Sequence, residues 1–321
     1  MKHPPYFLRF NKAADRLTLI EAIKRVGRLS GNLDDYTYYS LGGPFLDDFR
    51  LMYEFYPEIA LVSIEETKET FKRQLFHRHC GNIVLYYGDM AAFISQYQPE
   101  DEKSIFWLDY TGFQLSHFND FKRILRKVNP GSMIKITLQA DPKEYYRVTD
   151  ENHEENFLYF RRTFGDYLPD PSCNPPKLVD EFVCLVQKML QIAANQAFPA
   201  EETPLIFQPV CTFYYSDSIF MLTLTGIVWP RQDLEKINKA FKNWEFLNLT
   251  WADPKLIDIP ILTTKERLLL QGILPGDQPK GLKLFKKLGY RIEYDDAKTI
   301  EALEQYAAFH RYSPYFTQGL P

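Results

Sequence analysis

The feature that most constrains the fold of this 321-residue chain is a regular alternation of two kinds of segment between residues 36 and 138. The segments of one kind are short, rich in β-branched and aromatic residues, and typical of strands. They are YTYYSL (36–41), IALVSI (59–64), NIVLYY (82–87), SIFWLDY (104–110) and SMIKITL (132–138). The segments between them carry apolar residues at helical spacing. Because parallel strands need a crossover connection, this order predicts an α/β protein with a doubly wound, Rossmann-like sheet.

Two further apolar runs predict how this sheet ends. Residues 205–215 and 218–229 are long, rich in β-branched and aromatic residues, and separated by Ser216 and Asp217. A short polar break between two such runs is a hairpin signal, so we expect an antiparallel hairpin at the end of a mostly parallel sheet. With the alternating segments, these runs define a Rossmann-like domain over residues 36–230.

Helical segments flank the predicted sheet. An amphipathic pattern over residues 12–29 predicts that segment 1–35 packs as a helix on the core. Residues 141–176 are rich in Pro, Asp and Asn, which indicates an excursion or lid. Beyond the hairpin the pattern is mainly helical, so we expect residues 231–321 to form a helical C-terminal extension.

Charge, hydropathy and cysteine spacing exclude several classes of partner. The formal net charge of −4 gives no field that would attract a nucleic acid backbone, so nucleic acid is not the expected partner. No apolar stretch approaches about 18 residues and no secretory signal opens the chain, so we expect a soluble, cytoplasmic protein that engages no membrane. The cysteines lack metal-binding spacing, and we expect no metal site and buried, reduced thiols. They are Cys80, Cys173, Cys184 and Cys211.

Glycine and acidic residues follow four of the predicted strands. Ligands of open parallel sheets bind at the carboxyl ends of the strands, where the strand order reverses. Residues that bind a nucleotide are therefore expected at these positions. In chain order they are Gly42 and Gly43, Glu65, Gly88 and Asp89, and Asp109 and Tyr110.

The glycines after the first strand have two interpretations. Gly42 and Gly43 permit a positive φ and a close approach of the backbone to a ligand, and Pro44 suits the first position of a helix. The helix N-terminus would then offer N–H groups to a carboxylate or phosphate. Glycines at such a turn also occur for packing alone.

The two acids have similar alternatives. Glu65, about twenty residues beyond the glycines, stands where an acid accepts hydrogen bonds from ribose hydroxyls. Asp89 stands at the end of the next strand. Either residue could instead cap or complement the N-terminus of the helix that follows it. The occurrence of such residues at three successive strand ends favours adenosine binding.

The motifs RFNKAADR (9–16), SLGGPFLDDFRL (40–51), VSIEE (62–66) and FWLDYTG (106–112) carry a resemblance. The succession of strand ends resembles a class I S-adenosylmethionine-dependent methyltransferase. More closely, these motifs resemble a bacterial family known as putative O-methyltransferases. The resemblance implies a terminal hairpin in the sheet and S-adenosylmethionine as the cofactor. It also implies cofactor-binding roles for Gly42, Gly43, Glu65 (ribose) and Asp89 (adenine), with Asp109 and Tyr110 near the methyl acceptor.

The chain departs from that pattern in its first motif. Ser40 stands where such enzymes carry an acid that holds the methionine end of the cofactor, and Pro44 replaces the second glycine. Either the methionine end is held elsewhere or the site is degenerate. One candidate for holding it is an N-terminal polar cluster, which could equally be a solvated helix face. The cluster consists of Arg9, Asn11, Lys12, Asp15 and Arg16.

Asp109 is the main candidate for chemistry. Methyl transfer from a sulfonium needs alignment of donor and acceptor, and a base where the acceptor is an alcohol. A carboxylate beside Tyr110 could orient or deprotonate the acceptor, although Asp109 could also cap the following turn. The sequence DYTG (109–112) is not the signature of amino-directed DNA methyltransferases, which disfavours DNA as the acceptor.

Two other functions stay open. One is a catalytically degenerate binding or regulatory module of a protein assembly or homo-oligomer, with the C-terminal helices as the interface. The other is a nicotinamide-dependent dehydrogenase, which the missing G-x-G-x-x-G run disfavours. The sequence does not identify the acceptor.

Overall fold

The computed structural model describes residues 9–144, 153–274 and 280–313. Within these ranges the chain forms eight strands and eleven α-helices. The strands are β1 (Tyr36–Ser40), β2 (Ala60–Glu65), β3 (Ile83–Tyr87), β4 (Lys103–Asp109), β5 (Met133–Gln139), β6 (Leu205–Ser216), β7 (Phe220–Pro230) and β8 (Lys255–Ile257). The helices are α1 (Phe10–Ser30), α2 (Asp47–Phe55), α3 (Lys68–His77), α4 (Met90–Gln96), α5 (Leu115–Leu125), α6 (His153–Phe164), α7 (Val179–Ala197), α8 (Leu234–Ala240), α9 (Thr264–Gln271), α10 (Lys280–Leu288) and α11 (Asp296–Phe309).

The strands lie in one sheet with the order β3-β2-β1-β4-β5-β7-β6-β8. The pairs β1–β2, β2–β3, β1–β4 and β4–β5 are parallel, whereas β7 runs antiparallel to β5. The strand order reverses between β1 and β4, which places the expected ligand crevice at their carboxyl ends. The predicted Rossmann-like methyltransferase fold, with a mostly parallel sheet and an antiparallel end, is confirmed, and the C-terminal region is helical as expected.

The chain divides into two compact units. The larger comprises Leu19–Tyr214 and Ile219–Lys255. Its main core lies on one face of the sheet, where side chains of the central strands pack against α5 and α7. Phe106, Phe121 and Val186 in this core are completely buried. Truncation of such a side chain typically costs about 3–5 kcal/mol for Phe, so this face dominates the stability of the unit.

The prediction that residues 141–176 form an excursion or lid is wrong for much of that segment. Helix α6 occupies part of it, and Phe160, Phe164 and Tyr167 are buried in the main core. Phe113, in the loop after β4, lies with its ring centroid 4.8 Å from that of Phe164. The polar composition of the segment gave no indication of these buried aromatic residues. Its residues 145–152 lie outside the described ranges.

The smaller unit comprises Met1–Thr18, Tyr215–Ser218 and Leu256–Pro321. Asp217, at the tip of the β6–β7 hairpin, accepts hydrogen bonds from the backbone N–H groups of Asn11 and Lys12, at 3.2 and 3.1 Å. These are two of the first N–H groups of α1, which have no partner within the helix. Asp217 therefore acts as a helix cap from a distant part of the chain. Burial raises its pKa.

None of the helices within the described ranges combines the length and the apolar character needed to span a bilayer.

Candidate functional site

The carboxyl ends of β1 to β4 form one edge of the sheet, because these strands are parallel neighbours. Gly42 and Gly43 follow β1, Glu65 is the last residue of β2, Asp89 follows β3, and Asp109 is the last residue of β4. The topology therefore brings the residues selected from the sequence to the same edge, beside the point where the strand order reverses. Their individual contacts differ and are described in turn.

The turn after β1 contains two residues with left-handed backbone. Gly43 has φ +55°, and Leu46, which precedes α2, has φ 55°. Helix α2 begins only at Asp47, so the prediction that Pro44 occupies the first helical position is wrong. Residues 43–45 form a turn before the helix. The second left-handed residue could not be predicted, because leucine seldom adopts this conformation.

The two glycines of the turn meet different constraints. A Cβ atom on Gly42 would lie 2.5 Å from Ser63 Oγ and 2.7 Å from a ring carbon of Phe49, so close packing excludes any side chain there. A Cβ on Gly43 would meet no atom within 4 Å, and its constraint is conformational. The packing interpretation therefore applies to Gly42, whereas Gly43 faces open space.

A buried glutamine holds this turn. Gln74 of α3 has no exposed surface, and its Nε2 donates a hydrogen bond to the Gly43 carbonyl at 2.9 Å. Its Oε1 accepts a hydrogen bond from the Ser63 hydroxyl of β2 at 3.2 Å. The sequence offered no signal for this contact, because a lone glutamine in a predicted helix is usually a surface residue.

Glu65 takes part in starting the next helix. Its Oε1 accepts a hydrogen bond from the Thr67 N–H at 2.7 Å, and its backbone carbonyl accepts one from the Gly88 N–H at 3.0 Å. The second contact joins the end of β2 to the turn after β3. Glu65 Oε2 accepts no hydrogen bond from any residue in the described ranges. The carboxylate thus complements the N-terminus of α3 with one oxygen and retains the other.

Asp89 is the N-cap of α4. Its Oδ1 accepts a hydrogen bond from the Ala92 N–H at 2.6 Å, and the residue is exposed. This is the capping alternative considered from the sequence. A cap uses one carboxylate oxygen, so capping and ligand binding are compatible at this residue.

The charge of Asp109 acts on Tyr38, and so does that of a second acid, Asp48, that the sequence interpretation missed. Asp48, in the first turn of α2, is 8% exposed and accepts a hydrogen bond from the Tyr38 hydroxyl at 2.7 Å. Burial raises the pKa of Tyr38 well above its ordinary value, and the charges of Asp48 and Asp109 raise it further. Both acids therefore act on Tyr38, which lies in the middle of β1, two residues before the Ser40 that stands at the family's acid position.

Tyr110 is buried and stays protonated. Its hydroxyl donates a hydrogen bond to Asp120 Oδ2 at 3.0 Å, and its ring stacks on that of His117 with 3.9 Å between centroids. Burial, then Asp120, raise the pKa of Tyr110 well above its ordinary value, and the charges of Asp89 and Glu66 contribute in the same direction. Because Glu66 follows β2 and Asp89 follows β3, Tyr110 is electrostatically coupled to the ends of both strands. A phenol in this state donates hydrogen bonds and does not act as a base.

His117 forms the other half of this stack. It is 9% exposed, and its Nδ1 accepts a hydrogen bond from the Gln114 N–H at 3.3 Å. Burial lowers its pKa from 6.5 to about 4. His117 is therefore neutral at physiological pH.

The N-terminal polar cluster is not a solvated helix face. Asn11, Lys12 and Asp15 are 6%, 5% and 0% exposed. Asn11 Nδ2 donates to the Ser216 carbonyl at 3.1 Å, and its Oδ1 accepts from the Ile259 N–H at 3.1 Å. These contacts lie within the smaller unit, and they stabilise the start of α1.

No group of three or more potential metal ligands occurs among the described residues. The four cysteines form no disulfide. Cys211 is buried, whereas Cys80, Cys173 and Cys184 are half-buried, so the expectation of buried thiols is correct for one of the four.

Three solved structures illustrate the distant structural relatives of this chain. They are the O-methyltransferase TomG of Streptomyces achromogenes in complex with S-adenosylmethionine, the fibrillarin pre-rRNA processing protein of Methanococcus jannaschii, and LepI in complex with S-adenosylmethionine. Their sequence identities are 12%, 12% and 9%, and the TM-scores are 0.36, 0.35 and 0.34. The matches cover 65%, 61% and 60% of this chain, and 78%, 66% and 42% of those chains.

For fibrillarin and LepI, the match thus spans less than two thirds of the relative's length. Likeness at this level says nothing about the reaction or ligand of this chain. No curated protein matches the sequence. A family model described as putative O-methyltransferase matches residues 4–320, nearly the whole chain. The chain therefore belongs to this putative O-methyltransferase family.

Proposed function

We propose that the chain is an S-adenosylmethionine-dependent O-methyltransferase. The observation that carries the proposal is the arrangement of the glycine turn and the acids Glu65, Asp89 and Asp109 at the carboxyl ends of four parallel neighbours, β1 to β4. Membership of the O-methyltransferase family supports the same conclusion. S-adenosylmethionine is the cofactor to test, because the motifs at the strand ends resemble those of methyltransferases that use it.

The proposed cofactor contacts follow the strand order. The turn at Gly42 and Gly43 receives the methionine end, where the Gly43 N–H donates to no residue in the described ranges. Glu65 accepts hydrogen bonds from the ribose hydroxyls through Oε2, because Oε1 is engaged with Thr67. Asp89 accepts from the adenine amino group through the oxygen that does not cap α4.

Asp48 compensates for the missing acid at Ser40. The ammonium group in the methionine portion of the cofactor needs a negatively charged partner. The Asp48 carboxylate is hydrogen-bonded to Tyr38, which lies two residues before Ser40 on β1. In this assignment Asp48 reaches the turn from α2 rather than from β1. The altered motif is then a relocation of the acid and not its loss.

Asp109 is assigned to the acceptor side. When bound, S-adenosylmethionine supplies a methyl group on a positively charged sulfur. Asp109 would orient the acceptor hydroxyl towards that methyl group and take up the hydroxyl proton. Tyr110, the next residue in the chain, is held protonated by burial and by Asp120, and its hydroxyl and ring contact α5.

A catalytically degenerate binding or regulatory module is the second candidate. The observation that favours it is the altered first motif, in which Ser40 and Pro44 replace the acid and the second glycine of the family pattern. Such a module would bind the cofactor weakly or not at all and act through a protein partner or a second copy. A cytoplasmic place of action, and a partner or acceptor other than nucleic acid, complete both candidate functions.

Calorimetry on the full chain with S-adenosylmethionine and S-adenosylhomocysteine tests the proposal. We expect both to bind, and we expect Glu65→Ala to weaken binding by about 1–3 kcal/mol because a hydrogen bond to a charged group is lost. Glu69→Ala is the matched control, since Glu69 is an exposed acid of the same segment that pairs with Lys72. No binding of either ligand at millimolar concentration would reject the enzyme and favour the binding module.

A further inference from the structure

Helix α3 buries an amide where an amphipathic helix would bury an apolar side chain. Gln74 is its one buried residue, and its exposed fraction is zero. Burying an amide costs free energy unless both of its ends are hydrogen-bonded. Both ends of Gln74 are engaged, one with Ser63 and the other with Gly43. A leucine of similar size would fill the same volume, so packing alone does not explain the amide.

The two partners of Gln74 belong to two different segments that carry proposed cofactor contacts. Ser63 belongs to β2, two residues before Glu65, and Gly43 is the left-handed residue of the glycine turn. Gly43 precedes Pro44, whose nitrogen carries no hydrogen, so the Gly43 carbonyl is the polar group of that peptide. Holding this carbonyl restricts rotation about ψ of Gly43, a residue with unusually wide conformational freedom.

We propose that Gln74 is a positioning residue for the cofactor: its amide fixes the glycine turn relative to the β2 segment that carries Glu65. The inference rests on the proposed function and extends it to a residue outside the strand-end motifs. It concerns the methionine end of the ligand, which the turn receives, and not the adenosine end, which Glu65 and Asp89 receive. Loss of the amide should therefore affect ligands that reach the turn and spare ligands that do not.

The test compares two ligands on Gln74→Leu. S-adenosylhomocysteine reaches the turn with its amino acid portion, whereas adenosine contains only the ribose and the base. We expect the affinity for S-adenosylhomocysteine to fall about tenfold, as for the loss of one ordering hydrogen bond, and the affinity for adenosine to change less than about twofold. A purely structural role would weaken both ligands equally or neither.

Gln187→Leu is the matched control. Gln187 of α7 is 1% exposed and its Nε2 donates to the Thr212 hydroxyl at 3.2 Å, so it is another buried glutamine with a side-chain partner. Its replacement should lower thermal stability and leave the ratio of the two affinities unchanged. The same ratio in both leucine variants would overturn the inference.

In the variant Gln74→Glu, low pH should restore the hydrogen bonds that the glutamine amide makes. A protonated glutamic acid has the shape of glutamine and can make both hydrogen bonds, whereas its carboxylate repels the Gly43 carbonyl. We expect this variant to bind S-adenosylhomocysteine more tightly at pH 6 than at pH 9, relative to the unmodified protein. If the unmodified protein fails to bind S-adenosylhomocysteine, the proposed function is wrong. If it binds and Gln74→Leu binds equally well, only the positioning role is wrong.

Discussion

The stacked rings of Tyr110 and His117 show how burial shifts the protonation of a tyrosine and of a histidine in opposite directions. Tyr110 donates to Asp120, and burial raises the pKa of both groups. Burial acts in the opposite direction on His117, because the charged form of histidine is the cation. All three groups are therefore driven towards their neutral forms beside the ends of β3 and β4.

The lowered pKa of His117 predicts a specific loss of stability in acid. The folded pKa lies near 4, below the ordinary 6.5, so protons bind the unfolded chain more tightly. The contribution of neutral His117 is fully present above pH 6.5 and is lost as the pH falls through the folded value. Between pH 7 and 4 the free energy of unfolding should fall by about 2–3 kcal/mol more in the unmodified protein than in His117→Phe, as measured by urea titration.

His117→Phe suits this comparison because an aromatic ring preserves the stack on Tyr110 while removing the titrating group. Equal acid sensitivity of the two proteins would mean that folding does not lower the pKa of His117. Other acids titrate in the same range, but they are common to both proteins and cancel in the difference.

The location of a single residue in the fold was predictable where it follows directly from its position at the end of a strand. Glu65 and Asp109 stand at strand ends, and the strands could be recognised from composition. Asp48 and Gln74 could not be found in this way, because their contacts join them to Tyr38 and Gly43, which are 10 and 31 residues away in the chain. Such contacts depend on how α2 and α3 lie on the sheet, and no local pattern encodes that placement.

At the scale of elements, the two glycines of the turn after β1 are required for different reasons: Gly42 for lack of space and Gly43 for its backbone conformation. Gly42→Ala places a Cβ within 2.7 Å of three side chains, whereas Gly43→Ala meets no atom but must adopt φ +55°. We expect Gly42→Ala to lower the free energy of unfolding by about 1–3 kcal/mol, as other overpacked sites do. Gly43→Ala should cost about 1 kcal/mol, the usual penalty for a left-handed alanine.

Gly81→Ala is the control for both variants, since its Cβ would meet no atom within 4 Å and its φ is not in the left-handed region. Its free energy of unfolding in urea should equal that of the unmodified protein within about 0.5 kcal/mol. A larger loss at Gly43 than at Gly42 would show that the turn is constrained by conformation rather than by its packing on α2.

The strands were predictable because their residue composition and their regular alternation with helical segments both indicate the same α/β arrangement. The start of α2 was predicted three residues too early, since Pro44 is a helix-start signal and the left-handed Leu46 is not a sequence signal for any element. The segment containing α6 was predicted as an excursion or lid because it is rich in Pro, Asp and Asn. Those residues flank a helix whose Phe160 and Phe164 lie in the core. Composition averaged over a segment hides a few buried aromatic residues.

At the scale of the whole molecule, the segment after the hairpin belongs partly to the larger unit. Residues 219–255 cluster with it. Phe246 packs its ring against Phe213 of β6, with centroids 5.4 Å apart, and the Asn248 N–H donates to the Val210 carbonyl at 2.9 Å. Arg25 of α1 lies over the Trp244 ring. A test of whether the C-terminal extension mediates assembly should therefore not cut the chain directly after the hairpin.

Two truncated chains make this a prediction. A chain ending at residue 230 loses four buried apolar side chains of the larger unit, namely Ile237, Phe241, Trp244 and Phe246. Each contributes about 1.5–3 kcal/mol by burial, and the sum is comparable with the whole stability of an ordinary protein. We expect this chain to unfold without a cooperative transition in a circular dichroism melt, whereas a chain ending at residue 255 keeps one.

The chain ending at residue 255 is therefore the one with which to examine assembly by chromatography and light scattering. If the full chain is an oligomer and this truncated chain is a folded monomer, the removed helices α9 to α11 are needed for association, as a regulatory module would require. If both chains have the same oligomeric state, these helices are not the interface. Equal cooperative melting of the chains ending at 230 and 255 would contradict the placement of residues 231–255 in the larger unit.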